Sequence, residues 1–215
     1  METNLSVLAL TALTIGSLHT LAGPDHYLPF VAMSKSRNWS MVKTINIVAL
    51  CGLAHVLSSV VIGFIGIGAG IAISGIEKVE GTRGNIAAWL LLAFGIAYMV
   101  WGLYRLWKHN HHAHEHVMSD KKKMTFWILF TIFIFGPCEP LIPILMYPAA
   151  QHNYGAVVYI SAIFAATTIT TMIVMVWLML KGISFVKLHT LEKYQHVLAG
   201  ATIALCGIGI IFLDL

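Results

Sequence analysis

Long apolar stretches separated by short polar connections dominate the chain. Six of these stretches reach or approach the length of about 20 residues that an α-helix needs to cross a membrane. They cover residues 5–33, 41–73, 86–108, 124–149, 155–181 and 194–214. The longest stretches exceed one straight crossing, so we expect them to be tilted, broken or partly interfacial. The pattern predicts an all-α polytopic membrane protein with six transmembrane helices in a single domain, residues 1–215.

The composition agrees with this pattern. The 215 residues are 58% hydrophobic and only 10% charged, whereas a soluble domain carries about 25% charged residues. The segment Met1–Asn4 has neither the basic region nor the small-residue cleavage site of a signal peptide. We therefore expect the first apolar stretch to stay in the protein and the lipid bilayer to surround the chain.

Basic residues concentrate in alternate connections. The net charge is +4, and 11 of the 13 lysines and arginines fall in or beside the first, third and fifth connections. Only Lys78 and Arg83 lie in the predicted second connection, where Glu77 and Glu80 offset them. By the positive-inside rule, the odd-numbered connections are cytoplasmic and both termini face outside. The basic balance thus reports topology and does not indicate a nucleic-acid partner.

Two parts of the chain align as an internal repeat. A shift of 113 residues places the glycine–proline pair at 23–24 on the pair at 136–137. Toward the ends, a shift of 105 residues superimposes Gly95 on Gly200 and Gly102 on Gly207. Each unit has three helices, an odd number, so the second unit inserts upside down. The sequence predicts a 3+3 inverted repeat, 1–108 and 124–215, in which glycine and proline break the first helix of each unit.

Ionisable side chains follow each predicted break at once, and such groups at membrane depth indicate a functional site. The candidates for metal ligands are His19, Asp25, His26, His55, Cys138 and Glu139. Imidazole and carboxylate groups suit divalent metals such as nickel, cobalt or zinc. A proton relay through Glu139 is the main functional alternative to its role as a ligand. For the breaks themselves, the alternative is a pair of proline kinks that only ease helix packing.

The third connection, residues 109–123, is rich in histidine. Five imidazoles in eight residues are a compositional signal for metal binding, and they belong to His109, His111, His112, His114 and His116. We predict an auxiliary metal-binding loop in the cytoplasm that buffers or hands over a divalent cation through neutral imidazoles. A solvated loop without a metal is the alternative.

The segment Leu18–His26 resembles the signature of the HupE/UreJ nickel permeases. It is also similar to the signatures of the NiCoT transporters and of the NicO and UreH-like membrane proteins. In those families the histidines and the aspartate of the signature are implicated in nickel or cobalt recognition, which implies that role for His19, Asp25 and His26. The spacing His-x5-Asp-His is one residue longer than the NiCoT form, and Thr20 stands where HupE/UreJ proteins usually have proline. The resemblance implies a metal transporter in the inner membrane of a bacterium.

The second motif, Gly136–Pro143, resembles the proline-flanked cysteine motif of the CcdA/DsbD thiol–electron carriers. Those carriers share three-plus-three inverted repeats with TauE- and LysE-type exporters, so a thiol–disulfide electron carrier and an exporter of an anion or amino acid are alternative functions. Electron transfer needs a second cysteine close enough to bridge Cys138, but the position aligned with it is Asp25. We therefore predict a secondary transporter of a divalent transition metal, not an enzyme. A membrane-embedded metalloenzyme is a further alternative, and a homo-oligomer is compatible with the sequence.

Overall fold

The computed structural model describes residues 2–108, 119–138, 140–185 and 193–213, and all regular structure in these ranges is helical. A short 3-10 turn, Pro24–His26, lies between the first two α-helices. The α-helices in chain order are α1 (Glu2–Ala22), α2 (Leu28–Ser36), α3 (Met41–Gly68), α4 (Ile73–Lys108), α5 (Ser119–Phe135), α6 (Leu141–Ala150), α7 (Tyr154–Phe185) and α8 (Gln195–Leu213).

Five of the described helices are long and apolar enough to cross a membrane, namely α1, α3, α4, α7 and α8. The prediction of an all-helical membrane protein is therefore confirmed at this level. Helices α5 and α6 are shorter, and together they occupy the apolar stretch predicted at 124–149. The sixth crossing, the inverted repeat and the domain boundaries stay predictions.

Helix α4 begins at Ile73, well before the apolar stretch predicted at 86–108. Glu80 and Arg83, which the charge pattern assigned to a connection, therefore lie inside a helix. Glu80 is fully buried and its carboxylate pairs with the Arg83 guanidinium. Opposite charges three residues apart face each other on a helix, so the pair lets the charged segment continue the helix into the protein interior.

Glycines bring the backbones of α4 and α8 into close contact. A Cβ atom on Gly95 would lie 2.3 Å from the amide nitrogen of Ala204, and one on Gly200 would lie 2.3 Å from that of Met99. The backbones approach in the same way at a second place along the two helices, where Gly102 lies against Val197 and Gly207 lies against Leu92. Small residues at a helix interface allow this approach, and van der Waals packing then holds the helices together.

A Gly200→Val variant is expected to lose about 3 kcal/mol or more in free energy of unfolding, because the added side chain meets backbone atoms that cannot rotate away. Gly182→Val on α7 is the matched control, since no heavy atom lies within 4 Å of a Cβ built there. Denaturation of the two purified variants in mixed detergent micelles measures the difference. Equal stability would show that the contact between α4 and α8 is looser than described.

Candidate metal centre

Gly23 and Pro24 build the first helix break. Helix α1 ends at Ala22, and Gly23 adopts an extended conformation with φ −89° and ψ 95°. Pro24 begins the 3-10 turn, in which the amide of His26 donates to the Gly23 carbonyl at 3.1 Å. Proline has no amide proton to offer to the preceding helical turn, so the chain leaves the helix here and resumes it at Leu28. The turn carries His26 into the interior, where 4% of its surface is exposed.

Three histidines from separate elements meet beside this break, His19 from α1, His26 from the turn and His55 from the middle of α3. One potential ligand atom from each lies within 4.8 Å of the other two. The ring centroids of His19 and His26 are 4.8 Å apart, and those of His26 and His55 are 5.2 Å apart, both edge to face. His26 is therefore the central member of this histidine cluster.

Asp25 fixes the tautomer of His26. The Nδ1 atom of His26 lies 3.2 Å from Asp25 Oδ1 and 3.2 Å from the Gly23 carbonyl oxygen. Both neighbours are acceptors, so Nδ1 carries the proton and Nε2 keeps its lone pair. A carboxylate behind an imidazole is the arrangement that orients metal-ligating histidines in proteins. Asp25 thus orients His26 and is not part of the group formed by the three histidines, and its own role as a metal ligand stays a prediction.

The Nε2 atoms of all three histidines are buried and have no hydrogen-bond partner among the described residues. Buried polar atoms are nearly always paired in folded proteins, and leaving one unpaired costs about 1–3 kcal/mol. A metal ion accepts several lone pairs at once, so this donor set fits a cation. Neutral imidazoles suit the later divalent metals of the first transition row.

The distances in the cluster are close to those of a metal site. With bonds of about 2.1 Å and tetrahedral angles, two nitrogens on one ion are about 3.4 Å apart. The ligand atoms, up to 4.8 Å apart, would approach each other by up to about 1.4 Å to share an ion with such bonds. Binding therefore requires the imidazole rings to move towards one another.

The histidine cluster lines a cavity of about 300 Å³. Gly84 and Ala87 on α4 and Gly136 and Pro137 at the second break also line it. The cavity therefore lies between the two breaks of the chain. Its volume is many times that of one water molecule, so an ion can enter it with part of its hydration shell.

Cys138 does not join the histidine cluster. Its side chain is fully buried in an apolar cluster with Leu141, Val56 and Ala12. Among the described residues, the three histidines are the only group of three or more potential metal ligands that lie this close together. All three cysteines of the chain are free and buried.

Several predicted residues lie outside the described part of the chain. Glu139, which follows Cys138, is one of them. The others are the histidines of the third connection, namely His109, His111, His112, His114 and His116. Their assignment to metal binding or proton transfer stays a prediction.

The sequence-based search missed Glu80 and Arg83, whose side chains bond to the backbone at the second break. Arg83 Nη2 donates to the Ile134 carbonyl at 2.6 Å, and the Cys138 amide donates to Glu80 Oε2 at 3.3 Å. The available signal was the spacing of three between opposite charges immediately before the apolar stretch that begins at Ile86. That spacing is typical of an ion pair on a helix rather than of a connection.

Comparison with protein-family models, with curated proteins and with solved structures found no match to this chain.

Proposed function

We propose that the protein is a secondary transporter that binds a divalent transition-metal ion at His19, His26 and His55 and moves it across a membrane. The observation that carries this proposal is the convergence of three buried imidazoles on one cavity among helices long enough to cross a membrane. Ionisable groups at membrane depth are costly and typically mark the path of an ion or proton. The metal is the substrate, and the protein is a carrier rather than an enzyme.

The donor set favours a metal of the later first transition row. Three neutral imidazoles with a carboxylate behind one of them suit nickel, cobalt and zinc alike. The resemblance of Leu18–His26 to the nickel permease signatures makes nickel and cobalt the first candidates. The histidines of the third connection would gather the same cation at the membrane surface.

The glycine contacts between α4 and α8 support the proposed 3+3 inverted repeat, in which α5 and α6 together form the sixth crossing. Under the shift of 105 residues, Gly95 corresponds to Gly200 and Met99 to Ala204. Gly95 lies against Ala204, and Gly200 lies against Met99. The shift of 105 residues therefore converts one contact into the other with the two helices exchanged. Reciprocal contacts of this kind are those that a two-fold axis generates.

An inverted repeat provides a mechanism for transport. Two halves related by an axis in the membrane plane have two equivalent arrangements, one open to each side. The cavity lies between the two breaks, where rocking of one half against the other would expose it alternately. The ion would exchange its waters for imidazole nitrogens on entry and regain them on release.

Movement of Ni²⁺ into proteoliposomes tests the proposal. Wild-type protein is expected to move Ni²⁺ well above the rate of protein-free liposomes, and an Asp25→Ala/His26→Ala variant is expected to fall to that background. The reason is that the variant lacks the central imidazole and the carboxylate that orients it. Equal rates for a folded variant and the wild type would contradict the proposal. Chloride or amino-acid uptake independent of metal would favour an anion or amino-acid carrier.

A further inference from the structure

A second group of buried polar side chains lies beside the cavity. Glu80 on α4 is fully buried, and its partner Arg83 has a side chain that is 12% exposed. Charges removed from water are costly, and a buried pair persists only where further hydrogen bonds satisfy it. The destinations of these bonds therefore indicate what the pair does.

The ion pair bonds to the backbone on both sides of the second break. Arg83 donates to the carbonyl of Ile134, while the amide of Cys138 donates to Glu80 and to Ser59 Oγ, the latter at 3.2 Å. In an uninterrupted α-helix, that amide would donate to that carbonyl, four residues earlier. At the break, Glu80 accepts from the Cys138 amide and Arg83 donates to the Ile134 carbonyl. Each side chain therefore replaces the partner that this backbone group would have in a continuous helix.

Two serines of α3 complete the network. Ser59 Oγ donates to Glu80 Oε2 at 2.9 Å. Arg83 Nη2 donates to Ser58 Oγ at 2.6 Å, and Ser58 donates to the His55 carbonyl at 2.7 Å. The network thus connects the second break with the helix that carries the third histidine of the cluster.

The network lies at one end of the cavity. Along α3, the two serines follow His55 by one helical turn. Along α4, the ion pair precedes Gly84 and Ala87, which line the cavity. Gly66 of α3 lies against Ile76 of α4, and the earlier residue Ser59 bonds to the later residue Glu80, so here α4 runs back along α3 in the opposite direction. The network therefore separates the cavity from the connection between α3 and α4.

At the same end of the cavity, the second break packs closely against α4. A Cβ atom on Gly84 would lie 2.7 Å from Pro137 Cγ, so only glycine lets the proline lie this close to the helix. Residues 136–138 lie between the ends of α5 and α6. They can therefore move away from α4 without unwinding either helix, once the bonds to Glu80 and Arg83 are released.

We propose that Glu80 and Arg83 are positioning residues that gate the cavity on the side of the α3–α4 connection, an inference that rests on the proposed transport function. While the pair holds Ile134 and Cys138, the second break closes over α4, and an ion at the histidine cluster has no exit on this side. When the break separates from the pair, the cavity opens there. Among the described residues, no hydrogen bond or ion pair joins Glu80 or Arg83 to the side chains of the three histidines, so the pair controls access rather than binding.

Cysteine labelling from the two sides of the membrane tests the gate without requiring transport. The reporter is Ala87→Cys in the cavity wall, in protein whose three native cysteines are replaced by alanine. A membrane-impermeant, cationic methanethiosulfonate reagent is applied to intact cells and to inverted vesicles. A Gly68→Cys variant identifies the side on which the connection lies, because the space around that position is open.

A Glu80→Gln/Arg83→Gln double variant is expected to raise labelling at position 87 by about ten-fold or more from the connection side only, since charge-assisted hydrogen bonds that hold the gate are lost. The Ni²⁺ affinity of the detergent-solubilised double variant is expected to stay within about three-fold of wild type, a difference below that of one neutral hydrogen bond. Glu77→Gln/Lys78→Gln, which changes exposed charges on the same helix, is the matched control. Unchanged labelling at position 87 in a folded double variant would overturn the proposal that the pair gates the cavity.

A disulfide across the gate provides the converse test. The Cys138 amide nitrogen lies 3.2 Å from Ser59 Oγ, so Ser59→Cys brings a second thiol next to the backbone of the native Cys138 when Cys51 and Cys206 are replaced by alanine. Oxidised protein is expected to bind Ni²⁺ but not to exchange it across liposomes, and reduction is expected to restore exchange. Equal exchange by oxidised and reduced protein, with the disulfide verified by mass spectrometry, would refute the gate. Absence of Ni²⁺ binding in the reduced protein would instead count against the histidine site, and the labelling result would then decide the gate.

Discussion

A His26→Ala variant is expected to bind Ni²⁺ on the order of 100- to 1,000-fold more weakly than the wild-type protein. Structural metal sites gain about 10–16 kcal/mol from roughly four ligands, so the loss of one ligand removes a large part of the affinity. His26 is the ligand to remove because its ring contacts both His19 and His55. Titration calorimetry of the detergent-solubilised protein with Ni²⁺, Co²⁺ and Zn²⁺ measures the change.

Two further variants separate ligation from general effects on the fold. Asp25→Asn is expected to weaken binding by about 10- to 100-fold, because the variant lacks the carboxylate that accepts from His26 Nδ1 and orients the ring. His152→Asn removes an exposed histidine from a position with φ 54°, which asparagine tolerates, and should leave affinity unchanged. Undiminished binding by folded His26→Ala protein would place the metal elsewhere in the chain.

The sequence was sufficient to predict the elements of the first half of the site. A glycine–proline pair inside an apolar stretch predicts a helix break, and Gly23 and Pro24 form one. Histidines seven residues apart lie on one face of a helix, but the break changes that geometry. His26 meets His19 through the 3-10 turn that follows the break, and the turn could not be read from spacing alone.

The approach of His55 depended on the packing of α3 rather than on any local pattern. A lone histidine in an apolar helix has the same sequence signature whether it faces lipid, a core or a cavity. Its burial next to His26 follows from the way α3 packs against the neighbouring helices. Cys138 illustrates the converse, since it aligns with Asp25 in the predicted repeat while its side chain packs among apolar residues.

The charge pattern misjudged where helix α4 begins, for a physical reason. Charged residues are counted as connection residues because each one alone is too costly to bury. Glu80 and Arg83 are buried as a pair, together with two serines and two backbone groups. A hydropathy value averaged over neighbouring residues scores each charge separately and cannot show that these groups pair with one another. The glycine alignment was more informative, because Gly95 and Gly200 occupy corresponding places in one tight helix contact.

An Arg83→Gln variant is expected to lose about 3–5 kcal/mol in free energy of unfolding, which is the effect of removing one partner from a buried ion pair. Glu80 has no exposed surface, so water cannot replace the guanidinium. The Ile134 carbonyl, which accepts from Arg83 at 2.6 Å, loses its charged donor as well. Denaturation in mixed detergent micelles, followed by far-ultraviolet circular dichroism, measures the loss.

The Glu80→Gln/Arg83→Gln double variant is expected to recover much of that loss, because two neutral amides keep the size of the side chains and leave no charge unbalanced. Comparison of both single variants with the double variant gives the coupling energy of the pair. Lys78→Gln, two residues before Glu80 on the exposed side of α4, should change stability by less than about 0.5 kcal/mol. A double variant as unstable as the sum of the two single variants would show that Glu80 and Arg83 act independently, and the two charges would then not form a unit that can hold the second break closed.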